Sequence, residues 1–195
     1  MSSAELAAQG ERWRERFGEL LKDVARRSIA HGVHTGKPLV VDPEAFLPAL
    51  RTERASFVTL RRFGKLRGCI GSLEGNAPLV VGIAENAFRA AFRDPRFSPV
   101  DEADLPEIEI HISILSPLER VEVLSESDLL AKLRPGVDGV VLRQGLQQGT
   151  FLPSVWEDLP DAAQFVRQLK RKAGFAAEYW SDTLEVWRYT AESIE

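Results

Sequence analysis

Cysteine is all but missing from this chain: Cys69 is the only one in 195 residues. A single thiol excludes an internal disulfide, so the fold does not depend on an oxidising compartment. Long apolar runs are missing too. No stretch approaches the ~18 uninterrupted apolar residues of a membrane span, and the first thirty residues carry Glu5, Glu11, Arg12, Arg14, Glu15 and Arg16 in place of an apolar leader. Positive charge is not in excess. With 25 Lys+Arg against 29 Asp+Glu the net charge is −4, and the basic footprint and aromatic–basic motif of a nucleic-acid binder are both lacking. Three histidines and one thiol are too few and too scattered for a metal cluster; His31-x-x-His34 at a helix end has poor ligand spacing. Gly64-Lys65 is not followed by Ser or Thr, so it is not a phosphate-binding P-loop. No repeat of fixed period and no long Gly/Ser/Pro linker is present. These absences leave a cytoplasmic soluble protein with no metal, cofactor, membrane or nucleic acid to account for.

What is present is the composition of a globular chain, 44% apolar and 28% charged. At this length about 70% of the unfolded surface can be buried. Trp13, Phe17, Leu20, Leu21, Val24 and Ile29 recur at helical spacing and predict an N-terminal helix over 5–31, closed by Gly32. Ser56–Leu60 and Leu66–Ile70 read as two arms of a hairpin bent at Phe63-Gly64-Lys65. Asn76 caps a helix whose stripe is Leu79, Ile83, Ala87, Phe88, Ala91 and Phe92, and Asp94-Pro95 ends it. In Glu107–Leu115, four isoleucines alternate with Glu109, His111 and Ser113, the pattern of an antiparallel strand covered on one face.

Further on, Val121–Leu124 extends the pairing, Ser125 or Ser127 caps a short helix, and Val140–Arg143 and Thr150–Leu152 form two more strands. Asp161 caps a helix ended by Gly174, with Lys170, Arg171 and Lys172 complementing its C-terminal carbonyls, and Thr183–Tyr189 reads as the last strand. The fold class is α+β: an antiparallel sheet packed with helices, in a larger lobe plus a smaller subdomain. The four tryptophans, Trp13, Trp156, Trp180 and Trp187, read as core or subdomain-seam residues.

Chemistry concentrates in Leu66-Arg67-Gly68-Cys69-Ile70-Gly71-Ser72. Strict alternation places Arg67 and Cys69 on one face, about 7 Å apart at Cα, where a guanidinium favours the thiolate. Gly68 and Gly71 leave room for another backbone or a small ligand, and Gly71-Ser72-Leu73 can offer N–H groups to an anion. His111 is the best-placed base if its strand pairs beside Cys69. The bland reading stands alongside: a lone strand cysteine is most often a small buried hydrophobe, and Arg67 can pair with a carboxylate such as Glu109. Arg93-Asp94-Pro95-Arg96-Phe97 suits an anion, although a turn locked by its own salt bridge is the commoner outcome.

The runs LRGCIGS (66–72), AFRDPRFSPV (91–100), EIEIHISILSP (107–117), FLPSVW (151–156) and KAGF (172–175) resemble the AMMECR domain family, whose bacterial and archaeal members are called AmmeMemoRadiSam system protein A. The resemblance runs from Arg26 to Tyr189. It implies one AMMECR-type domain over 1–195, with a motif core at 55–117 and a C-terminal portion at 118–190. It also implies that the LRGCIG segment lies close to the groove between a larger and a smaller lobe. The signatures fall on Leu66 to Gly71, on Asp94, Arg96 and Phe97, and on Phe151, Leu152 and Pro153. Many relatives have Gln at the position of Ser154 and Cys at that of Lys170, so no two-cysteine chemistry carries over.

Association with a Memo-like protein and a radical-SAM protein is implied as well; no settled activity is. Two functions follow. One is an accessory or ligand- and partner-binding protein working through the LRGCIG groove, with Gly68, Gly71, Ser72, Asp94 and Arg96 as binding residues. The other is an enzyme with Cys69 as nucleophile or carrier, Arg67 as its cation and His111 as base on a small molecule.

Overall fold

The computed structural model describes the backbone of residues 3–195 and the side chains from Arg16 onward; Trp13 lies outside the described side chains. Two compact units divide the chain, one comprising the residues up to Leu115 together with Glu192–Glu195, the other Ser116–Ala191. The architecture is α+β, with one antiparallel sheet in each unit.

Helix α1 (Ser3–Thr35) buries Phe17, Leu21, Val24, Ala25, Ser28 and Ile29, a stripe at three- and four-residue spacing. Leu20, expected in that stripe, faces solvent. Ser28 is satisfied in the core by donating to the Ala84 carbonyl at 2.7 Å and accepting from the Leu39 N–H. Gly32 does not close the helix. It continues the buried stripe, because a Cβ there would lie 2.4 Å from the Phe92 ring and 2.7 Å from that of Phe88. The residue that ends α1 is Gly36, at φ +68°, whose N–H reaches the Gly32 carbonyl.

After the four-residue helix α2 (Pro48–Arg51), β1 (Ser56–Arg62) and β2 (Lys65–Ser72) form the expected hairpin. Its loop is two residues, Phe63 and Gly64, both at positive φ, which is the geometry that matches strand twist. Helix α3 (Leu79–Phe92) starts two residues later than the Asn76 reading predicts, with Pro78 at its N-cap. The Leu79 N–H donates to the Thr52 carbonyl, so a backbone acceptor does the work assigned to an Asn side chain. Strand β3 (Ile108–Leu115) runs as read, with Ile110, Ile112 and Ile114 buried. The first sheet is ordered β2-β1-β3-β8, and β8 (Ala191–Ile194) is a strand beyond the one read as last. Its inner face meets α3, where Asn86 donates to the Ser56 carbonyl and hydroxyl.

The second sheet is built from β4 (Glu119–Arg120), β5 (Gly139–Gln144), β6 (Gln147–Phe151) and β7 (Glu185–Tyr189), ordered β4-β7-β5-β6. Helix α4 (Glu126–Lys132) is capped by Ser125, and α5 (Ala162–Lys172) by Asp161, with Gly174 at φ +86° beyond its end. Phe151, Trp156 and Phe165 form the aromatic heart of this unit, Trp156 stacking on Phe165 at 3.8 Å. The FLPSVW signature therefore serves this core, with Ser154 exposed beside it.

Lys170 departs from its expected surface role. It is fully buried, 2.8 Å from a Glu126 carboxylate oxygen, donating to the Ala177 carbonyl and facing the Trp180 ring. Buried ion pairs are replaceable by apolar residues of similar shape, but stranding one charge is costly. Lys170→Met leaves a Glu126 carboxylate that still reaches water and is expected to unfold within about 1 kcal/mol of the wild type, whereas Glu126→Ala strands the fully buried ammonium and loses about 3 kcal/mol; urea denaturation of both variants measures the contrast.

Candidate functional site

Register decides what the LRGCIG segment presents. Thr59 of β1 stands opposite Cys69 of β2 on one side and opposite His111 of β3 on the other. Those three side chains form a row across the face turned away from α3, all partly exposed. Phe57 opposite Gly71, and Ser113, continue that face.

A β-bulge overturns the alternation assumed for Arg67. Leu60 pairs with Gly68, but Arg61 pairs with Leu66, so Arg67 is the extra residue and the face assignment flips across it. The bulge puts Leu66 on the Cys69 face and sends Arg67 to the α3 side. There its guanidinium donates to the Ser98 and Pro99 carbonyls and pairs with Asp104 at 3.1 Å. Asp104 also binds Arg62, which continues to Glu107. Arg67 is thus a strut between the edge strand and the segment after α3, and its carboxylate partner is Asp104, not Glu109.

The glycines are corrected in the same way. A Cβ on Gly68 would sit 2.1 Å from the Ala90 carbonyl oxygen, and one on Gly71 would sit 2.3 Å from the Ser56 carbonyl and 2.4 Å from the Phe57 ring. The space they leave is filled by helix backbone and an aromatic side chain. Ser72 is likewise occupied, donating to the Glu74 carbonyl and accepting from its N–H.

Asp94 and Arg96 hold the cysteine's backbone. As an edge strand, β2 leaves the Cys69 peptide groups outside the ladder. Asp94 Oδ2 accepts the Cys69 N–H at 2.9 Å, and Arg96 donates to the Cys69 carbonyl at 3.4 Å. Asp94, almost wholly buried, also accepts from the Arg96 N–H at 3.1 Å and from its guanidinium at 2.9 and 2.6 Å. The Arg96 hydrogen bond, followed by the Cys69 and Arg96 backbone donors, lowers the Asp94 carboxyl to about 2 against the opposing effect of burial. Arg96 is raised, first by the Asp94 hydrogen bond against its own burial, then by the charges of Asp94 and Cys69. The arginine that bonds Cys69 is therefore Arg96, through the Cys69 carbonyl, where the sequence pattern alone assigns it to a separate anion site.

With its peptide groups fixed, Cys69 turns its sulfur to the open face, where the Thr59 hydroxyl donates to it at 3.3 Å. His111 lies one strand further away than a base would need to be, two strand spacings or about 10 Å at Cα, with Thr59 in between. Thr59 and Phe57 are the site residues that sequence reasoning missed. Their period-two spacing against Cys69 and Gly71 would reveal them only once the bulge was known. Among the described residues no three His, Cys, Asp or Glu side chains are placed to hold a metal ion, and no helix is long and apolar enough to cross a membrane.

The chain as a whole is similar to known proteins. The AMMECR1 family model matches residues 22–194. The Methanopyrus kandleri protein MK0488 is 35% identical over 191 residues, covering 95% of this chain and 91% of its own. A Thermotoga maritima protein is 37% identical over 172 residues, covering 86% and 92%. Among solved structures, the crystal structure of the uncharacterised protein PH0010 from Pyrococcus horikoshii matches with a TM-score of 0.83 at 32% identity, over 90% of this chain and 89% of that one.

Proposed function

This chain belongs to the AMMECR1 family, and we propose that it is a cytoplasmic accessory protein that binds a partner or small ligand on the face bearing Phe57, Thr59, Cys69 and His111. The observation that carries this reading is the locking of Cys69: Asp94 and Arg96 hold its peptide groups while the sulfur is turned outward, with the Thr59 hydroxyl as its hydrogen-bond partner among the described residues. Such an arrangement presents a side chain for recognition, and among the described residues the histidine read as its base, His111, stands a strand away from it. The partners proposed are the Memo-like and radical-SAM proteins implied by the family resemblance, as in an AmmeMemoRadiSam system, with a small molecule of their pathway as the alternative ligand.

Light scattering of this protein mixed with either purified partner at tens of micromolar is expected to show a complex, a range in which weak specific association is still seen. Absence of any complex with both would overturn the partner assignment. The competing reading, Cys69 as nucleophile or covalent carrier, draws on the Arg96 charge and the Thr59 hydroxyl beside the sulfur. Iodoacetamide labelling at pH 7 separates the two. The binding reading expects a rate no faster than that of free cysteine, and a rate about tenfold faster would restore the nucleophile.

A further inference from the structure

We propose that the tip of the β1–β2 hairpin is a docking knob for a protein partner that presents an apolar pocket rimmed by carboxylates. This deepens the binding reading above and rests on it. Phe63 occupies the first position of the two-residue turn at φ +51°, a left-handed conformation that side chains other than Asn, Asp and Gly adopt at a cost. The residue is 71% exposed and its ring lies under the Arg62 guanidinium, 5.3 Å from the centroid, so the strain secures a surface contact and no core contact. Leu66, also exposed, stands just beyond the turn on the Cys69 face and faces Arg61 across the hairpin.

Residues 61–67 contain Arg61, Arg62, Lys65 and Arg67 and no acid. Arg62 and Arg67 are neutralised by Asp104 and Glu107. Among the described residues Arg61 donates to the Gly64 carbonyl and forms no ion pair, although Glu109 stands opposite it on β3, and Lys65 has no carboxylate partner. The result is a hairpin tip with an exposed ring, an exposed leucine and two cations outside any ion pair among the described residues. Aromatic side chains seated in partner pockets, with complementary charge at the rim, are the usual anchors of protein interfaces. An anionic membrane fits less well, since two cations adsorb weakly and the whole chain carries −4.

The test is photo-crosslinking in cells from a benzophenone amino acid at position 63, with the fully exposed Leu146 position as control. Expected is an adduct from position 63 and not from 146, to a protein identified by mass spectrometry whose crosslinked peptide carries Asp or Glu. The combined substitutions Arg61→Glu and Lys65→Glu should reduce it at least fivefold. No adduct, an adduct with lipid or nucleic acid, an adduct with a second copy of this chain, or indifference to charge reversal would each overturn the knob. A light-scattering complex with a Memo-like or radical-SAM protein but no crosslink at 63 leaves the binding reading standing and removes the knob; a charge-sensitive crosslink to a different protein does the reverse for those partners. Phe63→Asn supplies an independent readout. Its urea midpoint is expected at or above that of the wild type, and a fall would show the ring to be a folding contact, against the proposal.

Discussion

Gly68→Val is expected to lower folding stability by at least about 3 kcal/mol, the upper end of the range for forcing bulk into a packed interior. The clash is with backbone: the Ala90 carbonyl oxygen lies 2.1 Å from where the Cβ would sit, so no rotamer change relieves it. Neither side is free to retreat. The edge strand is pinned by Asp94 and Arg96 at the next residue and by Arg67 at the previous one. Helix α3 is held from behind by the seating of Phe88 and Phe92 over Gly32. Gly82, in the same helix, makes the control, because a Cβ there meets nothing closer than 3.9 Å. Gly82→Ala should raise stability by up to about 1 kcal/mol through lost unfolded-state freedom. Urea midpoints of the two variants measured together should move in opposite directions. A Gly68→Val protein that unfolds at the wild-type midpoint would show that α3 does not hold β2 as described.

Local patterns were legible in the sequence where the signal was local. The isoleucine alternation of β3, the Asp161 cap and Gly174 stop of α5, and the self-locked turn at Asp94–Arg96 each use residues within a few positions of one another. The two-residue hairpin loop was legible to within one residue, but the bulge next to it was not. That extra residue sets Gly68, and not Arg67, opposite Leu60, where the Ala90 carbonyl of α3 leaves no room for a side chain. Gly32 was misread because glycine both ends helices and admits aromatic rings, and only Phe88 and Phe92 decide between the two. Strand β8 has four residues and no turn signal before it, so pairing alone defines it. Lys170 looked like a dipole-complementing surface lysine because Glu126, its partner, lies 44 positions earlier. At the site, Cys69 was identified from its neighbours, but the wrong arginine was placed beside it. Parity along one strand cannot register a bond from a side chain of residue 94 to the backbone of residue 69.

That bond carries the second large effect. Asp94→Ala removes the acceptor of the Cys69 N–H and the partner of Arg96 together, and about 3 kcal/mol of stability is expected to go with them, the scale for breaking a buried pair from one side. Asp94→Asn keeps an acceptor but not the charge and should lose about 2 kcal/mol. The charge component has a pH signature. The carboxyl falls from 3.8 to about 2 on folding, so the unfolded state binds the proton more tightly. The stabilisation is therefore complete above pH ~4 and is lost as pH falls through the folded value, amounting to about 2 kcal/mol over the window. Wild-type and Asp94→Asn curves should run parallel above pH 5 and converge towards pH 2, where about half of the wild-type side chains are themselves neutral. A gap that stays constant down to pH 2 would mean that shape, not charge, secures the edge strand. Arg96→Ala should cost less than Asp94→Ala, since the arginine is half exposed and water can replace it. Hydrogen exchange at Cys69 locates the effect: its amide should lose protection in Asp94→Ala ahead of the buried β1–β3 ladder, because the clamp is the only acceptor among the described residues that holds that edge N–H.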